Sequence, residues 1–388
     1  MEKIIFNTDS LIMGGAEKIA MDYLNLLNEL GKYEILLLIN EDNGENGNIL
    51  IDRIPKNIKY KFVVDKNIIY KLNKYRELKK KNILYKIFYN YFLKKRRKNY
   101  RKNIRKIIKQ ENYDHLIDFY FKIPKDLLNK HSISWLHSSL KGSKPRNLKK
   151  SMERIAKTGK VVVITEDLKK EFIKYFSQYE NKVKRIYNFF DLESTIYKSN
   201  QIDYLTIKEK ELLKTDYILA CSRIDDKKDL GTLIKAFKIL KEKYKLKEKL
   251  YIVGNGPSKY KYENLVKKYR LEEEVLFLGT KNNPYIWMRN AKLFVHSSLK
   301  EGFGMVLVEA MICETMVIST DCPVGPSEIL ENGKSGILVN IGDYEKMAEE
   351  IKKYLYSKEE REKIISNASK RILDFSKEKI KKDIEGIL

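Results

Sequence analysis

The sequence predicts an α/β protein with two parallel sheets, each covered by helices on both faces. Three observations carry that expectation. Short apolar runs alternate with helix-period patterns along both halves of the chain, which is the pattern of βα units. The rhythm breaks over residues 190–212, which read as a linker with a short helix, and restarts at Tyr217. At 388 residues and 43% hydrophobic content, the chain can fill two cores. The expected domains are residues 1–195 and 196–371, two Rossmann-like halves facing a cleft.

In the first half, residues 3–7 read as a strand. Gly14-Gly15-Ala16-Glu17 then opens an amphipathic helix with Ile19, Tyr23, Leu26, Leu27 and Leu30 on one face, stopped by Gly31. A strand over 34–39 follows, then a loop from 41 that ends in a short strand at 60–64. Residues 66–110 are helical by pattern, with an apolar stripe of Leu84, Phe88, Tyr91 and Phe92. Strands come next over 115–120, 132–136 and 160–164. Thr165-Glu166-Asp167 caps a helix at 168–175, and a short strand and turn over 181–188 close this half. In the second half, strands over 217–221, 249–253, 275–278, 293–296 and 316–319 alternate with helices. These are expected around 229–245, 257–270, 284–290, 304–313, 325–331 and 343–357, with a final helix over about 359–387.

The N-terminus reads directly as a strand, so no signal peptide is expected, and no apolar run is long enough to span a bilayer. Cys221, Cys313 and Cys322 are odd in number and lack metal spacing, so they read as reduced thiols of a cytoplasmic protein. The net charge of +25 asks for an acidic partner. Much of it is local: residues 66–110 hold 18 Lys and Arg against one acid, Glu77, a balance of +17. Nucleic acid, an anionic membrane, an anionic lipid-linked substrate or a plainly solvated face all fit that count. The interleaved aromatics follow helical spacing, which suits a core or a membrane face better than base stacking, so no nucleic acid is expected.

The chemistry concentrates in Ser297-Ser298-Leu299-Lys300-Glu301-Gly302-Phe303-Gly304-Met305-Val306-Leu307-Val308-Glu309. A buried strand runs into a glycine-containing turn and then a helix. Free N–H groups and the positive end of the helix dipole suit a phosphate there. Glu309, early in the helix, is a bidentate acceptor suited to a ribose diol, and Glu301 is placed to hold another hydroxylated group. A sugar nucleotide combines these features. Arg223 and Lys228 are two cations at the carboxyl end of another strand, where α/β folds bind ligands, and they suit a departing diphosphate. Gly14-Gly15 lets backbone approach a phosphate closely, or is a plain turn into a helix. His137 ends a strand and opens a polar loop; His115, His131 and His296 read as structural. No Asp-x-Asp pair occurs, so no metal and no cofactor are expected.

The two glutamates with seven residues between them resemble the motif of the retaining glycosyltransferases of family 4, which have the GT-B fold. The resemblance extends from Gly14 to about Leu338. It implies that Glu301 with the backbone of Gly302, Phe303, Gly304 and Met305 orients the donor sugar, and that Glu309 holds the ribose. Arg223 and Lys228 are similar to the family's diphosphate clamp, with Asp229 in place of its usual glycine and Lys227 as the neighbouring alternative. Gly14 and Gly15 resemble the loop that contacts the donor from across the cleft, and His137 resembles the histidine that reaches the sugar. Lys281 falls where base contacts are expected. The last helix, 372–388, is expected to cross back onto the first domain. The turn from Cys322 to Ile329 is similar to turns in enzymes of N-acetylhexosamine transfer and lipid-linked glycan assembly.

The implied protein is a metal-independent, retaining hexosyltransferase of bacterial surface polysaccharide assembly. It would move sugar from a UDP-linked donor to a glycan or lipid-diphosphate acceptor. Residues 66–110 would dock it as a peripheral protein on an anionic, cytoplasmic membrane face. A non-catalytic subunit of the same fold would be marked by loss of the Arg, Lys or Glu set, and all are present.

Overall fold

The computed structural model describes residues 1–12, 14–45 and 47–388. Asn46, within the loop expected from 41, lies outside them. The chain divides into two compact units, Met1–Tyr187 with Lys381–Leu388, and Asn188–Ile380. Residues 188–195 and 372–380 thus go with the second unit, where the sequence division had the first group in domain one. The reason is local pairing: Phe190 N–H donates to Phe375 O at 2.9 Å, and Phe190 bridges Ser376.

Among the described residues the first unit holds seven strands: β1 (Glu2–Thr8), β2 (Tyr33–Ile39), β3 (Lys59–Phe62), β4 (His115–Asp118), β5 (Ser132–Leu136), β6 (Lys160–Val163) and β7 (Val183–Arg185). They lie in the order β3-β2-β1-β4-β5-β6-β7, all pairs parallel. Ile4, Ile5 and Phe6 of β1 and Val161, Val162 and Val163 of β6 are buried without alternation, as strands covered on both faces require. The helix Gly15–Glu29 buries Ile19, Tyr23, Leu26 and Leu27, as its 3.6-residue pattern predicts.

The basic segment forms two helices, Lys66–Leu78 and Ile83–Gln110, started by the Asp65 and Asn82 side chains, which accept from Asn67 N and Leu84 N. The expected apolar stripe divides. Phe92 is buried, while Leu84, Phe88 and Tyr91 are exposed together with Ile83 and Ile87. The packed face of the long helix continues instead through Tyr100, Ile104 and Ile108 into the core. Tyr75 stacks on Phe88 and Phe92 at 5.1 and 5.6 Å, and a single ring cannot cover the whole stripe.

A helix at Pro145–Lys157 lies outside the sequence expectation, although Leu148, Met152 and Ile155 recur along it at helical spacing; of these only Ile155 is buried. A polar contact anchors it: Arg154 pairs with the fully buried Asp118 at 2.5 Å. Burial pushes the Asp118 carboxyl up, against the opposing Arg154 charge.

The second unit holds β8 (Tyr217–Cys221), β9 (Lys249–Val253), β10 (Val275–Gly279), β11 (Leu293–His296), β12 (Val317–Thr320) and β13 (Ile337–Val339). Their order is β10-β9-β8-β11-β12-β13, all parallel. Only β13, three residues long, escaped the sequence reading. The strand order reverses between β8 and β11, and at such a point two loops diverge from the carboxyl edge and leave a crevice. The final helix expected over 359–387 is broken into Lys358–Arg371, a short turn of helix Ile372–Phe375, and Lys377–Glu385. In the first unit, Lys32 pairs with Glu385 at 2.7 Å and Lys160 donates to Ile387 O at 2.7 Å. No helix among the described residues is long and apolar enough to cross a membrane.

Candidate active site

The site in the second unit is built from the loops that follow β8 and β11, the two strands at the reversal. Hydrogen bonds fix these loops to each other. Ser297 and Ser298 hydroxyls donate to the Lys228 and Lys227 carbonyls at 3.0 and 3.1 Å, and Leu299 N–H donates to Lys227 O at 2.8 Å. The Asp225 side chain accepts from Lys227 N, starting the short helix Asp226–Lys228. Asp229 then turns at φ 42°, a left-handed conformation that Asp tolerates better than most residues. This accounts for how a non-glycine residue can follow Lys228. The Gly254-Asn255-Gly256 turn after β9 supports the same loop from below: Ile224 N–H donates to Asn255 O at 2.9 Å.

Lys228 and Glu301 meet at this point. The Lys228 ammonium lies 2.5 Å from Glu301 Oε1, and His296, the last residue of β11, places Nε2 2.7 Å from the same oxygen. Glu301 is 10% exposed and His296 3%. Burial alone would push the Glu301 carboxyl up, but the hydrogen bond and charge of His296, with Lys228 behind them, hold it near 2. A carboxylate only accepts, so His296 carries its proton on Nε2. Cys322, after β12, faces the same charge; its thiol is pushed up to about 12, first by burial and then by Glu301.

Gly302 to Met305 form the turn into the helix Met305–Ile312. Gly304 has φ 103°, which favours glycine, and it starts the helix. Phe303 is buried edge-on against Phe375 at 5.8 Å. The turn at Gly325 packs so tightly on this loop that a Cβ there would collide with the Phe303 carbonyl oxygen. Arg371 stacks on Phe375 and donates to Glu328 O at 2.8 Å, closing the support behind the loop. Glu309, 9% exposed, accepts from the Tyr285 hydroxyl at 3.2 Å on Oε1.

Arg223 stands apart. Its side chain is 73% exposed and approaches Asp225 at 3.9 Å. Lys281 is engaged: it pairs with Glu209 Oε1 at 2.7 Å and lies over the Trp287 ring. Lys281, followed by the Thr206 backbone and hydroxyl, holds the Glu209 carboxyl near 2.

The other candidates belong to the first unit. Gly14 and Gly15 start the helix Gly15–Glu29 after β1, and His137 follows β5. His137 Nε2 lies 2.7 Å from Phe119 O, an acceptor, so Nε2 carries the proton. Burial pushes this imidazole down to about 4, against the hydrogen bond, so it is neutral near pH 7 with Nδ1 as an acceptor. Among the described residues no group of three or more His, Cys, Asp and Glu is placed to hold a metal ion.

The sequence reading brought Glu301, Lys228 and Glu309 to one sheet edge, and the structure places them there. It missed His296, which was set aside as a core residue, and Tyr285. His296 had one visible signal: it ends a strand at a reversal point, as Cys221 does before Arg223.

Residues 204–371 match the model of the family described as glycosyl transferases group 1. Among curated proteins, the chain is 32% identical over 213 residues to the N-acetylgalactosamine-N,N'-diacetylbacillosaminyl-diphospho-undecaprenol 4-alpha-N-acetylgalactosaminyltransferase of Campylobacter jejuni. That match covers 55% of each protein. It is 30% identical over 252 residues to the capsular polysaccharide biosynthesis glycosyltransferase CapM of Staphylococcus aureus, covering 61% of this chain and 63% of CapM. The chain thus spans between half and two thirds of these relatives' own lengths. A crystal structure of Anabaena HepE in complex with UDP and glucose aligns over 100% of this chain and 99% of its own, with TM-score 0.73 and 20% identity. That likeness shows the GT-B fold.

Proposed function

We propose that this chain is a retaining hexosyltransferase of the glycosyl transferases group 1, whose family model its residues 204–371 match. Its donor is a UDP-hexose or UDP-N-acetylhexosamine, and its acceptor is a glycan or a lipid-diphosphate-linked sugar of bacterial polysaccharide assembly. One observation carries this: Lys228, Glu301 and Glu309 converge on the carboxyl edge of the second sheet at its reversal point. Support for the donor comes from the UDP bound by the Anabaena protein, and for the acceptor from the diphospho-undecaprenol in the Campylobacter enzyme's name.

Glu309 accepts from the ribose diol, with Tyr285 fixing one oxygen. Arg223 and Lys228 neutralise the charge that grows on the diphosphate as the glycosidic bond breaks. Glu301 and the 302–305 backbone orient the sugar. The acceptor hydroxyl attacks from the face the diphosphate leaves, and a diphosphate oxygen takes its proton. Neither a metal nor a protein nucleophile takes part. Lys281 offers its backbone to the base, its ammonium being held by Glu209.

The same proposal places the protein on the cytoplasmic face of an anionic membrane. Ile83, Leu84, Ile87, Phe88 and Tyr91 are exposed on the long helix of the first unit, and exposed Lys94, Lys95, Arg97 and Lys98 follow them. An apolar face beside cations suits a bilayer surface. A thermal-shift screen of nucleotide sugars tests the donor assignment: UDP-sugars raise the melting temperature, and a panel without effect refutes it.

A further inference from the structure

The donor site contains one arrangement that the proposed chemistry does not use. Glu301 Oε1 receives two donors, Lys228 Nζ at 2.5 Å and His296 Nε2 at 2.7 Å. If Lys228 is to meet a diphosphate, it must turn away from a carboxylate that is almost fully buried. A buried carboxylate left without a donor is costly, and this cost would oppose diphosphate binding. His296 removes the difficulty. It lies at the end of β11, paired to Ser319 of β12, so its backbone is held at the sheet's carboxyl edge. It is 3% exposed and has no freedom to follow Lys228.

We propose that His296 is a positioning residue: its Nε2–H keeps the Glu301 carboxylate paired and in place while Lys228 transfers to the diphosphate of the donor. The inference rests on the donor assignment above and extends it to a residue that never touches the ligand. Three groups face Glu301: His296 from β11, Lys228 from the loop after β8, and the Cys322 thiol from the loop after β12. The thiol is protonated throughout the ordinary pH range, so only His296 can replace the lysine as a strong donor.

The arrangement makes specific demands on binding. Replacing His296 with Leu leaves Lys228 as the donor that Glu301 must keep, so UDP affinity falls. Ligands without a diphosphate do not draw on Lys228, so uridine affinity stays. Gln in place of His restores a side-chain N–H at nearly the position of Nε2. Removing the Glu301 charge removes the need for any donor.

The test is calorimetric titration of the full chain with UDP and with uridine. It uses wild type, His296→Leu, His296→Gln, Glu301→Gln and the double variant His296→Leu/Glu301→Gln, with thermal melts confirming that each is folded. We expect His296→Leu to weaken UDP about tenfold or more while uridine changes less than twofold. His296→Gln should recover most of that loss. In the Glu301→Gln background, His296→Leu should change UDP affinity less than twofold. The loss in His296→Leu should also shrink as pH is lowered and Glu301 takes a proton. A role in core packing alone predicts otherwise: the Leu and Gln variants weaken UDP and uridine alike, and Glu301→Gln gives no relief. That result overturns the proposal, as does unchanged UDP affinity in His296→Leu. Wild type that binds neither ligand sinks the donor assignment itself, and the inference with it.

Discussion

Lys228→Ala removes an ammonium held 2.5 Å from a carboxylate that is 10% exposed. Two routes give the size of the effect. Breaking a buried ion pair by deleting one partner costs about 3–5 kcal/mol, and His296 remains to pair Glu301, so about 3 kcal/mol is the upper expectation. The Glu301 carboxyl lies near 2 in the fold against 4.5 ordinarily, which corresponds to about 3 kcal/mol shared by its two donors. Lys228→Ala should therefore destabilise by about 1–3 kcal/mol at pH 7. The sign with pH follows. The folded carboxyl is depressed, so its contribution is complete above pH 4.5 and is lost as pH falls toward 2. The difference between wild type and Lys228→Ala should be constant from pH 7 to 5 and narrow below that. Arg223→Ala, with its exposed side chain, should stay within about 0.5 kcal/mol of wild type at every pH. Urea unfolding of the three proteins at pH 7, 5 and 3.5 measures this. Equal stability of Lys228→Ala and wild type at pH 7, with equal slopes, would refute the pairing.

Three further outcomes are expected. Glu309→Ala should weaken UDP by about 3 kcal/mol or more, two lost charge-assisted hydrogen bonds, and Tyr285→Phe by about 1 kcal/mol; unchanged calorimetric affinity in Glu309→Ala counts against the ribose role. His137, depressed to about 4 from 6.5, contributes stability that is complete above pH 6.5 and lost as pH falls toward 4, so His137→Leu should flatten the stability curve over that window, and an unaltered curve contradicts its burial as a neutral ring. Glutamates in place of Lys94, Lys95, Arg97 and Lys98 should abolish salt-sensitive sedimentation with anionic liposomes and spare UDP binding; Arg96 is left out because it pairs with Glu41 at 2.5 Å within the first unit. Equal sedimentation of variant and wild type would leave those cations as a solvated face.

What the sequence made legible followed from period and punctuation. β8, β9 and β11 were readable to the residue, because uninterrupted apolar runs end at polar turns. The Glu301–Glu309 spacing placed both carboxylates correctly, since a strand, a glycine turn and a helix leave little freedom. What stayed hidden depended on contacts distant in sequence. The helix Pro145–Lys157 has a helical period in Leu148, Met152 and Ile155, but its anchor, Arg154 on Asp118, is a pairing no local pattern announces. His296 reads as one more buried strand residue until the loop returns Glu301 to it. The stripe from Leu84 to Phe92 has helical spacing throughout, yet only the course of the neighbouring helix decides that Phe92 is covered and Leu84 is not.

The proposed donor site in the second unit is tested most directly by titrating the wild-type chain with UDP in excess EDTA, beside Arg223→Ala and Lys228→Ala. If the two cations take the place of a metal on the diphosphate, wild type should bind saturably with chelation leaving affinity intact, and affinity should fall at least tenfold in each variant. Binding that vanishes in EDTA and returns with manganese, or that both variants retain in full, would contradict that role.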